Sequence, residues 1–286
     1  MKFFVVDVFA EKKYQGNQLA VFVPDRDLST DEMQQIAKEM HFSESTFVAR
    51  AGGSRFEVRI FTPDMEVPFA GHPTLGTAYV IRELLGWSLG DRLVLNLGVG
   101  QIPVEFSNDT LMMEQKQPSL GAIIADRSGV AQILSIQAAD LTPNFPVQVV
   151  STGLPSVIIP LNSMEAVRRC VVRHDLYQQF IDDTVKAALL VFAPETIKSE
   201  NDLHVRVFVD DYGFFEDPAT GSANGNLAAY LLEHRYFAKS ALKYRVEQGY
   251  EMGRPSLLEV AAEKIDKNFV IRVGGRVFRV AEGEWE

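Results

Sequence analysis

The sequence predicts an α+β chain built from two similar halves, and three observations carry that reading. Segments rich in β-branched and aromatic residues outnumber helix-like ones, and the two kinds do not alternate strictly, which argues against a doubly wound parallel sheet. The stretch from Pro68 to Tyr79, with Gly71-His72 at its turn, leads into an apolar run (Leu75, Ala78, Tyr79, Val80, Ile81, Leu84, Leu85) that covers more than one face, as a core helix does. The pattern then recurs. Arg59-Ile60-Phe61 ahead of Ala70-Gly71-His72 is echoed by Arg206-Val207-Phe208 ahead of Thr220-Gly221-Ser222, and a second apolar helix follows.

The elements follow in order. Lys2 to Phe9 and Leu19 to Val23 are strands, separated by a Gly16-Asn17 turn. Ser29 and Glu32 stand at capping-box spacing and open a helix whose buried face is Met33, Ile36, Ala37 and Met40. Glu44 sits just past that helix, immediately before a strand from Thr46 to Arg50, and on position alone it reads as a surface carboxylate in a turn. Arg55 to Phe61 alternates as a half-buried strand. Pro73 suits the first position of the core helix, where its missing N–H costs nothing, and Leu85-Gly86-Trp87 ends that helix. Short strands at Arg92 to Leu97, Gln101 to Phe106 and Leu111 to Gln115 follow.

A cluster of proline, serine and glycine from Pro118 to Gly121 marks the expected boundary between domains at 1–118 and 119–286. The last strand, near 277–286, is expected to cross back to the first domain. In the second half the expected strands are Pro146 to Val150, Val157 to Pro160, Ala187 to Phe192, Leu203 to Val209, Leu242 to Glu247, Leu257 to Ala262, Phe269 to Val273 and Val277 to Val280. Ser163 to Val172 and His174 to Ile181 are the expected surface helices. The second core helix opens with Asn224, Gly225 and Asn226, which are poor helix formers, so close approach or hydrogen bonding is expected to outweigh propensity there. The alternative for Gly225 is tight helix–sheet packing.

The totals bound the function. At 286 residues the chain is long for one core and comfortable for two. With 47% hydrophobic and 23% charged residues it is ordinary globular protein. A net charge of −10 disfavours nucleic acid and anionic membrane as partners, so an anionic substrate would have to be held by local donors such as helix ends. The single cysteine, Cys170, excludes an internal disulfide and two-cysteine racemisation, and points to a reducing, cytoplasmic setting. The first residues read as a strand and not as a membrane span or a cleaved signal. The five histidines have no metal-ligand spacing with cysteines or carboxylates, and no phosphate loop or dinucleotide fingerprint is present, so no metal or cofactor is implied. Each Gly turn opening a core helix presents free N–H groups and the positive end of the helix dipole, at Gly71 and His72 in one half and at Gly221 and Ser222 in the other. If the halves pack face to face, both ends point into one cleft.

Six blocks then carry a family resemblance. Gly16-Asn17-Gln18-Leu19-Ala20-Val21-Phe22, Phe42-Ser43-Glu44-Ser45-Thr46-Phe47-Val48, Arg59-Ile60-Phe61-Thr62-Pro63, Val67-Pro68-Phe69-Ala70-Gly71-His72-Pro73, Glu216-Asp217-Pro218-Ala219-Thr220-Gly221-Ser222-Ala223 and Gly249-Tyr250-Glu251-Met252-Gly253-Arg254-Pro255-Ser256 resemble the signature blocks of the PhzF-like (phenazine biosynthesis) family, in order and over nearly the whole chain. The resemblance implies the diaminopimelate epimerase fold, in which two similar domains each wrap a barrel-like sheet around a central helix with the active site between them. It also implies cofactor-independent isomerase chemistry and a homodimer. The cysteine pair of the epimerase relatives falls on Ala70 and Thr220 here, so that chemistry is absent. The family's glutamate acid/base falls on Glu44, and its supporting histidine and aspartate on His72 and Asp217.

The expected reaction is transfer of a proton by Glu44 between carbons of a small carboxylate-bearing substrate. Gly71, Thr220, Gly221 and Ser222 would hold the substrate. Asn17 either orients the substrate or caps its own turn, and Arg254 either binds an anion or serves its turn. The alternatives are an epimerase or racemase acting at an α-carbon, and a non-catalytic binding protein of the same fold.

Overall fold

The computed structural model describes residues 1–50, 55–87, 90–211 and 214–286, with Arg50, Asp210, Asp211 and Phe214 described by backbone alone. It divides into two compact units, Met1–Glu114 with Gly274–Glu286, and Gln115–Val273.

The first unit contains β1 (Lys2–Val8), β2 (Asn17–Val23), α1 (Thr30–Met40), β3 (Glu44–Arg50), β4 (Arg55–Phe61), the short β5 (Glu66–Val67), α2 (Gly71–Tyr79), β6 (Arg92–Leu97), β7 (Gly100–Ser107) and β8 (Thr110–Glu114). The second contains β9 (Ser119–Ile123), α3 (Arg127–Ile133), β10 (Gln148–Ser151), β11 (Pro155–Pro160), α4 (Met164–Arg169), α5 (His174–Asp183), β12 (Ala188–Ala193), β13 (Leu203–Asp211), β14 (Phe214–Asp217), α6 (Gly221–Glu233), β15 (Ala241–Gln248) and β16 (Ser256–Ile265). The last strand, β17 (Asn268–Glu284), is divided between the units at Val273 and Gly274.

In the first unit the strands close on themselves. β1 pairs β2, β2 pairs β3, β3 pairs β4, β4 pairs β6, β6 pairs β7, β7 pairs β8, β8 pairs β17, and β17 returns to β1. The β2–β3 and β4–β6 pairs are parallel. A closed ring of strands leaves no free edge. Its centre is α2, with Gly71 to Ala78 all buried and contacts to β1, β2, β3, β6, β7 and β8. Gly76 makes this fit possible, because a Cβ there would lie 2.5 Å from Leu19 Cδ2 and 2.9 Å from Val8 Cγ2. α2 has no side-chain cap. A cap contributes about 1 kcal/mol, whereas each fully buried large apolar side chain contributes about 1.5–3 kcal/mol. Burial of Leu75, and of Val80 and Ile81 in the π-helical turn Val80–Leu84 that continues the helix, therefore outweighs the missing cap.

α1 lies outside this ring. The capping box forms as its spacing predicts: Glu32 N–H donates to Ser29 Oγ at 3.2 Å, and Ser29 N–H donates to Glu32 Oε2 at 2.8 Å. Met33 and Ala37 pack in one cluster with Phe22, Phe47 and Phe61.

In the second unit β9, β10, β11, β12, β13, β15 and β16 pair in that order, with β11–β12 and β13–β15 parallel. Backbone near the two ends is tied as well. Gln115 N–H donates to Ile271 O at 2.8 Å, and the Gln117 side chain bonds the Phe269 backbone both ways at 2.6 and 2.9 Å. The buried α6 contacts β10, β11, β12 and β16. Each unit is thus a sheet curled around a central helix, the α+β fold expected.

The repeat is visible in side-chain detail. Arg59 forks onto Glu66 at 2.7 and 2.6 Å, and Arg206 forks onto Glu216 at 2.8 and 2.8 Å. Each guanidinium also lies over a phenylalanine two residues on, Phe61 and Phe208.

Several elements differ from the sequence expectation. Pro73 is the third helical residue, because α2 begins at Gly71; the first four N–H groups of a helix lack intrahelical partners, so proline is tolerated there too. The Pro118 to Gly121 cluster holds β9, whose backbone is recruited by β10 whatever its propensity. α3 has no strong apolar period and is set by packing of Val130, Ile133 and Leu134 into the second unit's core. The two closing strands expected around 269–280 are one long strand, β17. The helix expected over Ser163 to Val172 stops at Arg169, where Arg206 Nη1 donates to the carbonyls of Val167, Arg168 and Cys170 at 3.1, 3.2 and 2.9 Å.

Candidate active site

The predicted site residues fall into two groups, one within each unit. In the first, Glu44 opens β3 and His72 is the second residue of α2. The parallel register sets Leu19 opposite Glu44, which brings the Asn17-Gln18-Leu19 start of β2 to the same end of the ring. Gly16 makes this entry: its φ is +75°, and a Cβ there would lie 2.2 Å from the Val8 carbonyl oxygen. Asn17 is buried, and Gly71 precedes His72 at the helix start.

Glu44 is not the surface carboxylate its position suggested. Its side chain is only 19% exposed, and Oε2 lies 3.5 Å from His72 Nε2. His72 is buried, and burial pulls its pKa down to about 3 against a hydrogen bond to the Gln18 backbone that raises it. The ring is therefore neutral at ordinary pH. Nε2 has no hydrogen-bond partner among the described residues, so Nδ1 makes the link to Gln18. A Nδ1–H donated to the Gln18 carbonyl leaves Nε2 as a bare lone pair aimed at the carboxyl group. A single proton can bridge this gap between the imidazole nitrogen and the carboxyl oxygen.

The second group lies at the start of α6. Asp217 ends β14, Thr220 is the N-cap, and Gly221 and Ser222 are the first helical residues. Thr220 Oγ1 donates to Asp217 Oδ2 at 2.5 Å. Gln248, the fully buried last residue of β15, clamps the turn. Its Nε2 donates to the Asp217 carbonyl at 2.7 Å and to Thr220 Oγ1 at 3.0 Å, and its Oε1 accepts from Thr220 N–H at 3.2 Å and from Asn224 Nδ2 at 2.9 Å. Nothing in the sequence pointed to Gln248, which stands just outside the Gly249-to-Ser256 block.

The poor helix formers of α6 have separate tasks. Asn224 also donates to the Thr220 carbonyl at 3.0 Å. Asn226 accepts from Thr152 N–H at 2.7 Å and donates to Leu154 O at 2.8 Å and Ser156 Oγ at 2.9 Å, tying the β10–β11 turn to the helix. Gly225 makes room for Gln115, whose Cγ would lie 2.8 Å from an added Cβ, so its task is packing. Arg254 serves its turn through its backbone: its N–H donates to the Gly249 carbonyl at 2.9 Å, and Gly249 has φ +77°.

Beside this group lies a buried charge cluster. His204, fully buried on β13, reaches Glu247 Oε2 through Nδ1 at 3.3 Å and Glu251 Oε1 through Nε2 at 3.0 Å. Burial lowers its pKa, but the hydrogen bonds that Glu247 and Glu251 accept from the ring outweigh this, and the net shift is upward. Burial likewise pushes Glu247 up, and bonds from His204, from Asn201 and from the N–H groups of Ile197 and Lys198 bring it down to about 2.

The chain thus holds two helix-centred sheets, one of them closed and carrying a carboxyl–imidazole pair at its helix start, and the fold is of the epimerase type. The chain matches the family model for phenazine biosynthesis-like proteins over residues 6–283, and it belongs to that family. It is 35% identical to trans-2,3-dihydro-3-hydroxyanthranilate isomerase of Pseudomonas aeruginosa, over 99% of this chain and 98% of that protein. The structure of the PhzF-family phenazine biosynthesis protein of Bacillus anthracis superposes with a TM-score of 0.92 at 26% identity, covering 100% of this chain and 99% of that one. A hydroxyproline epimerase of Agrobacterium vitis superposes with a TM-score of 0.63 over 99% of this chain and 90% of that one; at 10% identity the likeness is one of fold alone. The protein is an isomerase. Among the described residues no helix is long and apolar enough to cross a membrane.

Proposed function

We propose that this isomerase moves a proton between two carbons of a small carboxylate-bearing substrate without a cofactor, with Glu44 as acid and base. The observation that carries the reading is the 3.5 Å approach of Glu44 Oε2 to the unprotonated Nε2 of a neutral, buried His72. The Glu44 carboxylate takes a proton from a carbon made acidic by conjugation, and the electron pair enters the conjugated system as a dienolate. Glu44 then returns the proton to a second carbon on the same face. Between the two steps the carboxylic acid hydrogen is held by His72 Nε2, which keeps it available. General acid/base catalysis of this kind contributes about 10²–10⁴-fold. The N–H groups of Gly71 and His72 at the start of α2 favour the charge that develops on the substrate. Asn17 orients the substrate. Asp217, Thr220, Gly221 and Ser222 of the second unit bind its polar groups.

The test is a panel of small conjugated carboxylates incubated in D2O and read by NMR. The first member is trans-2,3-dihydro-3-hydroxyanthranilate, the substrate in the name of the Pseudomonas relative. Deuterium at a new carbon with a shifted double bond supports the reading, whereas exchange confined to one stereocentre makes the protein an epimerase. Glu44→Gln is expected to lower turnover by about 10²–10⁴-fold with the fold unchanged by circular dichroism. Turnover equal to wild type removes Glu44 from the chemistry, and a panel with no exchange favours a binding role.

A further inference from the structure

We infer that Gln248 is a positioning residue for the polar group at the start of α6: it sets the direction of the Thr220 hydroxyl and, through it, the Asp217 carboxylate. The inference deepens the proposed function and rests on its use of Asp217 and Thr220.

A primary amide has two N–H donors and a carbonyl with two lone pairs. All four are engaged here, with Asp217 O, Thr220 Oγ1, Thr220 N–H and Asn224 Nδ2. The partners also fix which end is which. The Asp217 carbonyl can only accept, so it faces Nε2, and the Thr220 N–H can only donate, so it faces Oε1. A flipped amide would set oxygen against oxygen at one end and N–H against N–H at the other. With Nε2–H donated to Thr220 Oγ1, the threonine hydrogen is directed away from Gln248 and onto Asp217 Oδ2, 2.5 Å away.

Position and burial make this a device rather than a surface contact. Gln248 is fully buried at the end of β15, and Gly249 follows with φ +77°. A Cβ on Gly249 would lie 2.6 Å from the Pro218 carbonyl, so the backbone presses against the Asp217-Pro218 turn at this point. On the other side Glu247 is anchored by His204, Asn201 and two backbone N–H groups. The strand end that carries Gln248 is thus held from both sides, and the amide transmits that rigidity to three points: the last residue of β14, the N-cap of α6 and its first turn.

The experiment uses Gln248→Met, which keeps the side-chain length and removes all four bonds, and Gln248→Glu, which keeps an acceptor for Thr220 N–H and removes both donors. Hydrogen–deuterium exchange of the full-length protein is read for the peptide spanning 217–224. The expected result for Gln248→Met is at least tenfold faster exchange there, with β11 and β12 unchanged. Turnover of trans-2,3-dihydro-3-hydroxyanthranilate is then compared in wild type, Gln248→Met, Thr220→Val and the double variant. The expected result is a tenfold or greater fall in kcat for each single variant, a smaller change in KM, and a double variant no worse than the poorer single. Gln248→Glu is expected to lose kcat as well, and it carries the test if the methionine variant does not fold.

Exchange at 217–224 within twofold of wild type overturns the inference, and so do multiplicative losses in the double variant. A wild type that turns over no probe counts against the Glu44 reading, and the exchange measurement then decides the hold of Gln248 by itself.

Discussion

Each unit buries one histidine against carboxylates, and the two are shifted in opposite directions. His72 stands 3.5 Å from Glu44, gains only a backbone bond at Gln18, and is pushed down to about 3. His204 stands between Glu247 and Glu251 with a hydrogen bond to each and is pushed up. Both rings are desolvated. The difference is the number of carboxylates that accept from the ring, since two such bonds outweigh the penalty of a buried imidazolium and a contact beyond hydrogen-bond length does not. A neutral ring beside a carboxyl group has a lone pair ready to exchange a proton. A ring with both nitrogens bonded to carboxylates has no free lone pair and serves as a brace.

The largest effect expected from breaking this contrast is on stability. Glu247→Gln removes one anion from the locked cluster and leaves a buried charge poorly compensated, which costs about 3–5 kcal/mol. Urea denaturation checks this, and turnover by the remaining folded protein should change far less than in Glu44→Gln.

A smaller effect is expected at the other ring. His72→Gln keeps a polar group at the start of α2 but loses the bare Nε2. It should lower kcat about 10–100-fold, less than the acid/base contribution itself. An unchanged kcat under saturating substrate would reduce His72 to a packing residue.

The pH dependence sharpens the contrast further. The folded pKa of His204 is raised, so its contribution to stability is full below the unfolded value of 6.5 and fades as pH rises through the folded value. Glu247 is depressed to about 2, so its contribution is full above 4.5 and fades as pH falls toward 2. The stability gap between wild type and Glu247→Gln should therefore be widest between about pH 4.5 and 6.5. His72 has the reverse sign to His204: with a folded value of about 3, it withdraws stability as pH falls from 6.5 toward 3.

The smallest signal is spectroscopic. The His72 ring resonances should show no titration between pH 5 and 8, and those of His204 should remain those of an imidazolium past the ordinary midpoint of 6.5. A midpoint near 6.5 for both rings would erase the distinction between the two units.

The sequence by itself determined what depends on near neighbours and on recurring blocks. The Ser29–Glu32 capping box spans three residues and formed as read. The echo of Arg59-Ile60-Phe61 in Arg206-Val207-Phe208 was legible as a repeat, although the matching forks onto Glu66 and Glu216 were not. The six blocks named the family, and with it the α+β fold and isomerase class. Glu44, His72 and Asp217 were picked out in the same way, but position alone made Glu44 a surface residue.

Tertiary structure decided the rest, because the partners lie far apart along the chain. His204 and Glu247 are 43 residues apart, Thr220 and Gln248 are 28 apart, and Arg206 reaches back 39 residues to the Val167 carbonyl to end α4. No local propensity encodes those bonds. The same holds for titration: a histidine's pKa is set by what surrounds it in space, so only the folded chain distinguishes His72, pushed down, from His204, pushed up.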